Sequence, residues 1–147
     1  MSSISGNKQI ALAFCQNYTK GAWDELADLL DDDFRWKSIA SQRRQSSVLT
    51  GIPPLNTEPG YDKKDTLSIF RQTQEMCVDG RFDLIPDEFT CEAERVAFEA
   101  TGYAVSKQNG RIYDNRYHHL MRIRRGKIVE LREYQDTLLV FDVWMAP

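Results

Sequence analysis

From residue 81 onward the sequence consists of long β-rich runs that follow one another through short turns. These runs cover residues 82–92, 94–105, 112–124 and 127–135. The turns Gln108-Asn109-Gly110 and Arg124-Arg125-Gly126 separate the last three runs, and each carries the glycine that hairpins favour. The carboxyl-terminal part of the chain therefore predicts an antiparallel meander.

The amino-terminal part shows helical periodicity instead. Ile10, Phe14 and Tyr18 recur at helical spacing before Gly21, a residue type that commonly ends helices. A second periodic run covers residues 23–30 and stops at three aspartates, and residues 34–39 suggest a short strand. We expect the two helices to pack as a pair.

A third helix is expected after a long polar segment. Asp62 can cap it, with Asp65 three residues on, and its inner stripe is Leu67, Phe70, Thr73 and Cys77 before a stop at Asp79-Gly80. Residues 41–60 are polar and rich in glycine and proline, and we expect residues 42–60 to form a mobile rim of a pocket. Helices first and antiparallel strands afterwards predict an α+β fold, closed by a short helix or strand at residues 137–144.

Composition and charge exclude several classes of partner. The 147 residues suit one domain, and 41% apolar with 28% charged residues is typical of a folded chain. The net charge of −3 with interleaved signs argues against nucleic acid or a membrane surface. Cys15, Cys77 and Cys91 lack any paired spacing, so neither a disulfide frame nor a zinc site is predicted. No signal-peptide pattern is present at the start, and we expect a cytoplasmic location.

The order of elements and the segment NGRIYDNRYHHLMRIRRGKIVELREYQDTLLV carry a family resemblance. Both resemble SnoaL-like polyketide cyclases and ketosteroid-isomerase-related proteins of the nuclear transport factor 2-like superfamily. The most specific part is a Gly-Lys-Ile turn followed by Leu-Arg-Glu-Tyr-x-Asp, which is similar to the last two strands of that superfamily, limonene epoxide hydrolase included. The resemblance implies a cone-shaped fold, with amino-terminal helices packed on a strongly curved, mostly antiparallel sheet around a small-molecule pocket.

The resemblance does not carry the ketosteroid isomerase site with it. The catalytic aspartate of that family falls near Ser38 and its oxyanion-binding tyrosine at Phe14, while its second acid falls at His119. A true ketosteroid isomerase is therefore disfavoured. Limonene epoxide hydrolase has an aspartate at the position of Glu133, but its tyrosine and asparagine become Trp36 and Ser38, so only part of its water-activating network is retained.

Strand parity brings two polar side chains together. Alternate residues share a face, so Tyr117, His119 and Met121 point one way, and Leu131, Glu133 and Gln135 form the matching set on the next strand. By resemblance both sets face the cavity. A carboxylate beside an imidazole in an apolar cup suits acid/base catalysis, and Glu133 with His119 is the leading catalytic pair. The alternative is a structural carboxylate bound to an arginine or tyrosine beside a wall histidine.

Other polar residues are weaker candidates. Asp136 is a second candidate base, because SnoaL-like cyclases carry a proton-shuttling acid there, or else a cap of the terminal helix. Glu99 lies among apolar residues and is either functional or a charge on the outer face. His118 and His119 point to opposite faces and cannot share a metal ion, so no metal is predicted.

The substrate-binding candidates form two groups. The first offers hydrogen bonds for a substrate oxygen and contains Tyr113, Asn115 and Tyr117. The second could wall an apolar pocket and contains Phe14, Trp36, Phe70, Phe98, Met121 and Leu131. Ordinary core packing would account for the members of both groups equally well.

These observations predict a cofactor-independent lyase, isomerase or hydrolase that acts on a small, mostly apolar, oxygenated molecule in an enclosed pocket. The alternatives are a non-catalytic binding module with the same pocket and a domain that associates through the outer sheet face. Because the superfamily commonly pairs there and Leu120 lies on that face, a homodimer is expected.

Overall fold

A computed structural model of the chain describes residues 4–39 and 58–146. The predicted rim at residues 42–60 lies almost entirely outside the described residues. The helices are α1 (Ile4–Lys20), α2 (Trp23–Leu29), α3 (Lys63–Glu75) and α4 (Thr137–Val140), which continues into a π-helical turn at Phe141–Met145. The strands are β1 (Leu30–Ser38), β2 (Tyr61–Asp62), β3 (Cys77–Glu92), β4 (Arg95–Ser106), β5 (Ile112–Arg124) and β6 (Lys127–Gln135).

The six described strands form one mixed sheet in the order β2-β1-β6-β5-β4-β3. β1 and β6 run parallel, and every other neighbouring pair is antiparallel. The sheet curls without closing, and α1 and α3 pack against it. The predicted α+β fold with amino-terminal helices on a mostly antiparallel sheet is confirmed.

The start of α3 agrees with the sequence, and its end does not. The Asp62 side chain accepts a hydrogen bond from the backbone N–H of Asp65 at 2.8 Å, which is the predicted cap. The helix ends at Glu75, and the expected inner-stripe residue Cys77 instead begins β3. Asp79 and Gly80 adopt left-handed φ angles of 57° and 61°, so they form an irregularity inside the strand rather than a helix stop.

The first strand is also longer than expected. It begins at Leu30, directly after α2, and contains the three aspartates that were expected to follow the helix. Leu30 and Phe34 are buried in the core, whereas Asp32 and Asp33 are exposed. These acidic residues therefore occupy a strand whose apolar positions, not its charges, fix its place in the fold.

Alternation along β5 separates the two faces of the sheet. The odd-numbered positions from Tyr113 to Ile123 are buried, and the even-numbered positions between them are exposed or half-buried. On β4, Gly102 belongs to the buried set. A Cβ at this position would lie 2.6 Å from the Tyr117 ring and 3.0 Å from the Phe82 ring. The inner face thus carries large aromatic side chains at close quarters.

No helix within residues 4–39 and 58–146 is long and apolar enough to cross a membrane. The cytoplasmic location expected from the sequence stays a prediction. The cysteines are free, with Cys15 and Cys77 buried and Cys91 half-buried.

Candidate functional site

A cavity of about 260 Å³ lies between the inner face of the sheet, α1, α3 and the carboxyl-terminal helical turn. Its volume is near the lower end of the range for ligand pockets, so it suits one small molecule. Aromatic side chains dominate its wall, among them Phe14, Tyr18, Trp36, Phe70, Phe82 and Trp144.

His119 and Glu133 meet at this cavity. They are directly opposite each other on β5 and β6, and His119 Nε2 lies 3.1 Å from Glu133 Oε2. Their side chains are 1% and 12% exposed, and both residues line the cavity. Strand parity together with the family resemblance predicted this approach. A buried imidazole in contact with a carboxylate can accept a proton at one site and release it at another.

Aromatic rings hold the His119 imidazole in place. The Tyr117 ring stacks on it with a centroid separation of 5.2 Å and an interplanar angle of 26°. The Phe98 ring meets it edge-on at 5.1 Å. Phe98 therefore supports the imidazole from the core side and is not part of the cavity lining. Packing on two sides limits the rotation of the ring.

Tyr113 and Tyr117 form a hydrogen-bonded pair beside the acid/base pair. Their hydroxyl oxygens are 2.7 Å apart, and Tyr113 also donates to Gln135 Oε1 at 3.1 Å. Burial raises the pKa of both phenols, and the nearby Glu133 carboxylate raises each further. Both tyrosines therefore stay protonated near neutral pH, and their protons hold the hydrogen bonds of this pair and of Gln135.

Two buried polar atoms of the cavity residues have no hydrogen-bond partner among residues 4–39 and 58–146. They are Trp36 Nε1 and His119 Nδ1. Buried polar groups in folded proteins are nearly always paired, with protein or with solvent.

Besides Phe98, three predicted site residues lie outside the cavity lining. Asn115 is fully buried, and its amide binds the Tyr113 hydroxyl and the backbone of Asp136, so it joins the end of β6 to β5. The Asp136 side chain accepts from the backbone N–H groups of Leu138 and Leu139, which makes it the cap of α4. Met121 is a core residue with no exposed surface. Strand parity placed Asn115 and Met121 on the inner face, but the cavity ends short of them.

The remaining predicted lining residues do reach the cavity: Phe14, Trp36, Phe70, Tyr113, Tyr117 and Leu131. Glu99 and His118 are cross-strand neighbours on the exposed outer face, away from this site. No group of three or more histidine, cysteine or acidic residues in the described parts of the chain is placed to hold a metal ion.

Sequence reasoning did not assign several lining residues. Tyr18 was read only as part of a helix stripe, and Phe82 only as part of a strand. Trp144 and Met145 reach the cavity because the helical turn at Phe141–Met145 folds back over it, where Asn109 Nδ2 donates to the Val143 carbonyl at 3.0 Å. The only signal for this turn is a short aromatic-rich stretch after the last strand.

Comparison with known families and structures now adds to this geometry. Residues 11–131 match the SnoaL-like domain family. The chain belongs to the SnoaL-like family. No curated protein matches it.

Several solved structures have the same fold as this SnoaL-like protein. A nuclear transport factor 2-like protein of unknown function from Burkholderia pseudomallei is 20% identical, with a TM-score of 0.71 over 99% of this chain and 100% of that one. A candidate polyketide cyclase from Xanthomonas campestris is 16% identical, with a TM-score of 0.73 over 97% and 98%. An LEH-like epoxide hydrolase from M. tuberculosis is 14% identical, with a TM-score of 0.69 over 94% and 88%. At these identities the likeness establishes the fold alone.

Proposed function

We propose that this SnoaL-like protein is a cofactor-independent lyase, isomerase or hydrolase. Its substrate is a small, mostly apolar, oxygenated molecule that binds in the aromatic cavity. His119 and Glu133 are the catalytic pair, and Tyr117 with Tyr113 helps to orient a substrate oxygen. The neighbouring folds of a candidate polyketide cyclase and an epoxide hydrolase fit this class of reaction.

The observation that carries the proposal is the contact between His119 Nε2 and Glu133 Oε2 at 3.1 Å. A structural carboxylate would instead be expected to bind an arginine, as Glu130 does on the same strand with Arg132. Among the described residues, His119 is the one side chain that bonds to the Glu133 carboxylate, and both residues line a cavity with a largely apolar wall. In such surroundings electrostatic and proton-transfer effects are stronger than in water.

The pair would act by moving one proton at a time. In an isomerase or lyase it removes a proton from carbon next to a carbonyl and returns it to another atom. In a hydrolase it removes a proton from a water molecule as that water attacks the substrate. General acid/base catalysis of this kind typically contributes about 10²–10⁴-fold to rate.

The test is a set of probe reactions that reports proton transfer without knowledge of the natural substrate. Cyclic ketones incubated in D₂O report carbon-acid exchange by ¹H NMR, and cyclohexene oxide or styrene oxide reports water addition by mass spectrometry. We expect at least one probe to react with the wild-type protein. We expect Glu133→Gln, which keeps the shape of the side chain, to lower that rate by about 100-fold or more.

Glu130→Gln is the matched control for this experiment. Glu130 lies on β6 as well, but it binds Arg132 and Lys37 and does not line the cavity. It should retain the wild-type rate. Equal rates for Glu133→Gln and the wild type would contradict the proposal. Saturable binding with no turnover of any probe would favour the alternative, a non-catalytic small-molecule binding module.

We also propose that the protein forms a homodimer through the outer face of its sheet. Large apolar side chains are exposed on that face, namely Ile85, Tyr103, Ile112 and Tyr134. Exposed apolar surface of this kind is common at protein interfaces. Light scattering at micromolar concentration should give twice the monomer mass, and Tyr103→Glu should return the mass to that of the monomer. A monomer for the unmodified chain would contradict the proposal.

A further inference from the structure

Tyr18 supplies a buried hydroxyl to the cavity wall that makes no hydrogen bond within residues 4–39 and 58–146. The residue is 6% exposed. In the same parts of the chain, the buried side-chain polar atoms that are both unpaired and closed off from any accessible space are Trp36 Nε1 and His119 Nδ1. The Tyr18 hydroxyl is therefore unpaired but still accessible, and the space beside it is the cavity. A bound molecule can reach it.

The two other buried tyrosines of the wall have no proton to offer a ligand. Tyr113 donates its hydroxyl proton to Gln135 Oε1 at 3.1 Å, so the 2.7 Å contact between the two phenol oxygens uses the proton of Tyr117. Buried hydroxyls are normally paired in this way, because an unpaired one loses its bond to water without a replacement. Tyr18 departs from this rule at a place where a ligand can complete the bond.

Three aromatic rings fix the direction of the Tyr18 side chain. The rings of Phe70, Phe82 and Trp23 each meet it edge-on, at centroid distances of 5.0, 5.3 and 5.9 Å. The phenol thus enters the cavity from α1, while the Glu133 carboxylate enters from the sheet. A donor that is held in place before the ligand arrives binds it with a smaller loss of entropy.

The Tyr18 hydroxyl keeps its proton. Burial raises the pKa of the phenol well above its ordinary value, and the Glu133 carboxylate raises it further. Such a weak acid donates a hydrogen bond but does not readily give up its proton. The oxygen of an epoxide must gain a proton once the ring has opened, whereas a carbonyl oxygen needs only a hydrogen bond while the neighbouring carbon loses its proton. The chemistry of Tyr18 therefore favours a carbonyl compound.

We propose that the substrate is a ketone or related carbonyl compound whose carbonyl oxygen accepts a hydrogen bond from the Tyr18 hydroxyl. The inference rests on the proposed function and selects its isomerase or lyase branch. The His119–Glu133 pair takes a proton from the carbon next to the carbonyl. The electron pair of that C–H bond forms a C=C bond, and the carbonyl π pair moves onto the oxygen, where Tyr18 stabilises the charge. The proton then passes from the pair to another atom of the substrate or to a group that leaves it. Tyr113 and Tyr117 shape the wall beside that oxygen.

Two ligands of nearly equal shape test the contact. Acetophenone has the carbonyl oxygen, and α-methylstyrene has a CH₂ group in its place. Tyr18→Phe removes only the hydroxyl, so calorimetry should show about 5–10-fold weaker binding of acetophenone and unchanged binding of α-methylstyrene. Tyr134→Phe, at an exposed position of the outer face, should change neither affinity. Equal changes for the two ligands in Tyr18→Phe, or no measurable binding of acetophenone to the unmodified protein, would overturn the proposal.

A stability measurement separates a ligand contact from a structural one. Because the Tyr18 hydroxyl has no partner among the described residues, Tyr18→Phe should leave the midpoint of urea unfolding unchanged or raise it. Tyr113→Phe removes the bond to Gln135 and the acceptor of Asn115 Nδ2, so it should lower the midpoint. A lowered midpoint for Tyr18→Phe would show that its hydroxyl is bonded within the protein, and the proposal would then be wrong.

The fate of this inference can be separated from that of the proposed reaction. For a ketone probe that exchanges hydrogen in D₂O, Tyr18→Phe should lower kcat by about 10²–10³-fold. Binding does not depend on turnover, so selective weakening of acetophenone without reaction of any probe would refute the proposed reaction and support the carbonyl site. A probe that stops reacting in Glu133→Gln, but keeps its wild-type rate and affinity in Tyr18→Phe, would support the reaction and refute the role of Tyr18.

Discussion

His118 and His119 are neighbours in the chain, yet the sheet gives them opposite surroundings. His119 is 1% exposed, contacts Glu133 and lies against the rings of Tyr117 and Phe98. His118 is exposed on the outer face of the sheet. The same side chain is therefore a member of an acid/base pair in one position and a surface group in the next. Strand parity, more than residue type, decides which polar side chains can meet a ligand.

The largest expected difference between the two faces is in activity. His119→Gln keeps a hydrogen-bonding group near Glu133 but has no titratable ring, so the rate with a reactive probe should fall by about 10²–10⁴-fold. His118→Gln removes the neighbouring imidazole from the outer face and should leave the rate unchanged. Exchange and hydration assays on both variants measure the effect. Equal losses would mean that the inner position has no special role.

The next largest expected difference between the two faces is in the stability lost on mutation. Ile123 and Ile112 lie at opposite parities of β5 and are 1% and 57% exposed. Ile123→Ala should lower the free energy of unfolding by about 2–5 kcal/mol, because it leaves a cavity in the core. Ile112→Ala should change it by about 0.5 kcal/mol or less. Urea unfolding at low protein concentration measures both values, and similar losses would contradict the assignment of faces.

The strands could be predicted, because their signals are local, but their pairing could be predicted only in part. The turn at residues 124–126 pairs Ile123 with Ile128, and that register, continued without interruption, would put Arg132 opposite His119. A register shift between Arg122 and Ile123 puts Glu133 there instead. The end of α3 could not be predicted in the same way. Cys77 continues the helical stripe in sequence, but its pairing with Ser106 draws it into β3. Tertiary contacts of this kind override local propensity.

The extent of the cavity also could not be predicted from the sequence. Strand parity correctly assigned Asn115 and Met121 to the buried face. It could not predict that the cavity ends short of both residues. The helical turn at Phe141–Met145 brings Trp144 over the cavity, and this depends on a bond from Asn109, 34 positions earlier in the chain. A periodicity argument considers neighbouring residues and cannot detect such a contact.

Alkaline pH should distinguish the tyrosines of the two faces. Burial raises the pKa of Tyr117 in the folded protein, while the unfolded chain releases that proton near pH 10. Tyr117 therefore makes its full contribution to the free energy of unfolding below pH 10. That contribution falls by about 1.4 kcal/mol per pH unit as the pH rises above 10. Tyr117→Phe should make the fall in unfolding free energy above pH 10 less steep. Tyr134→Phe, at an exposed outer position, is the control, and identical slopes would contradict the prediction.

The smallest expected effect concerns the two acidic residues at the end of β6. Glu133 lines the cavity, whereas the Asp136 side chain accepts from two backbone N–H groups at the start of α4. Asparagine caps helices about as well as aspartate, so Asp136→Asn should preserve both stability and the rate with a reactive probe. Asp136→Ala should lower the free energy of unfolding by about 1 kcal/mol, because the cap is lost. A rate loss of about 100-fold in Asp136→Asn, with unchanged thermal unfolding, would instead make Asp136 the base.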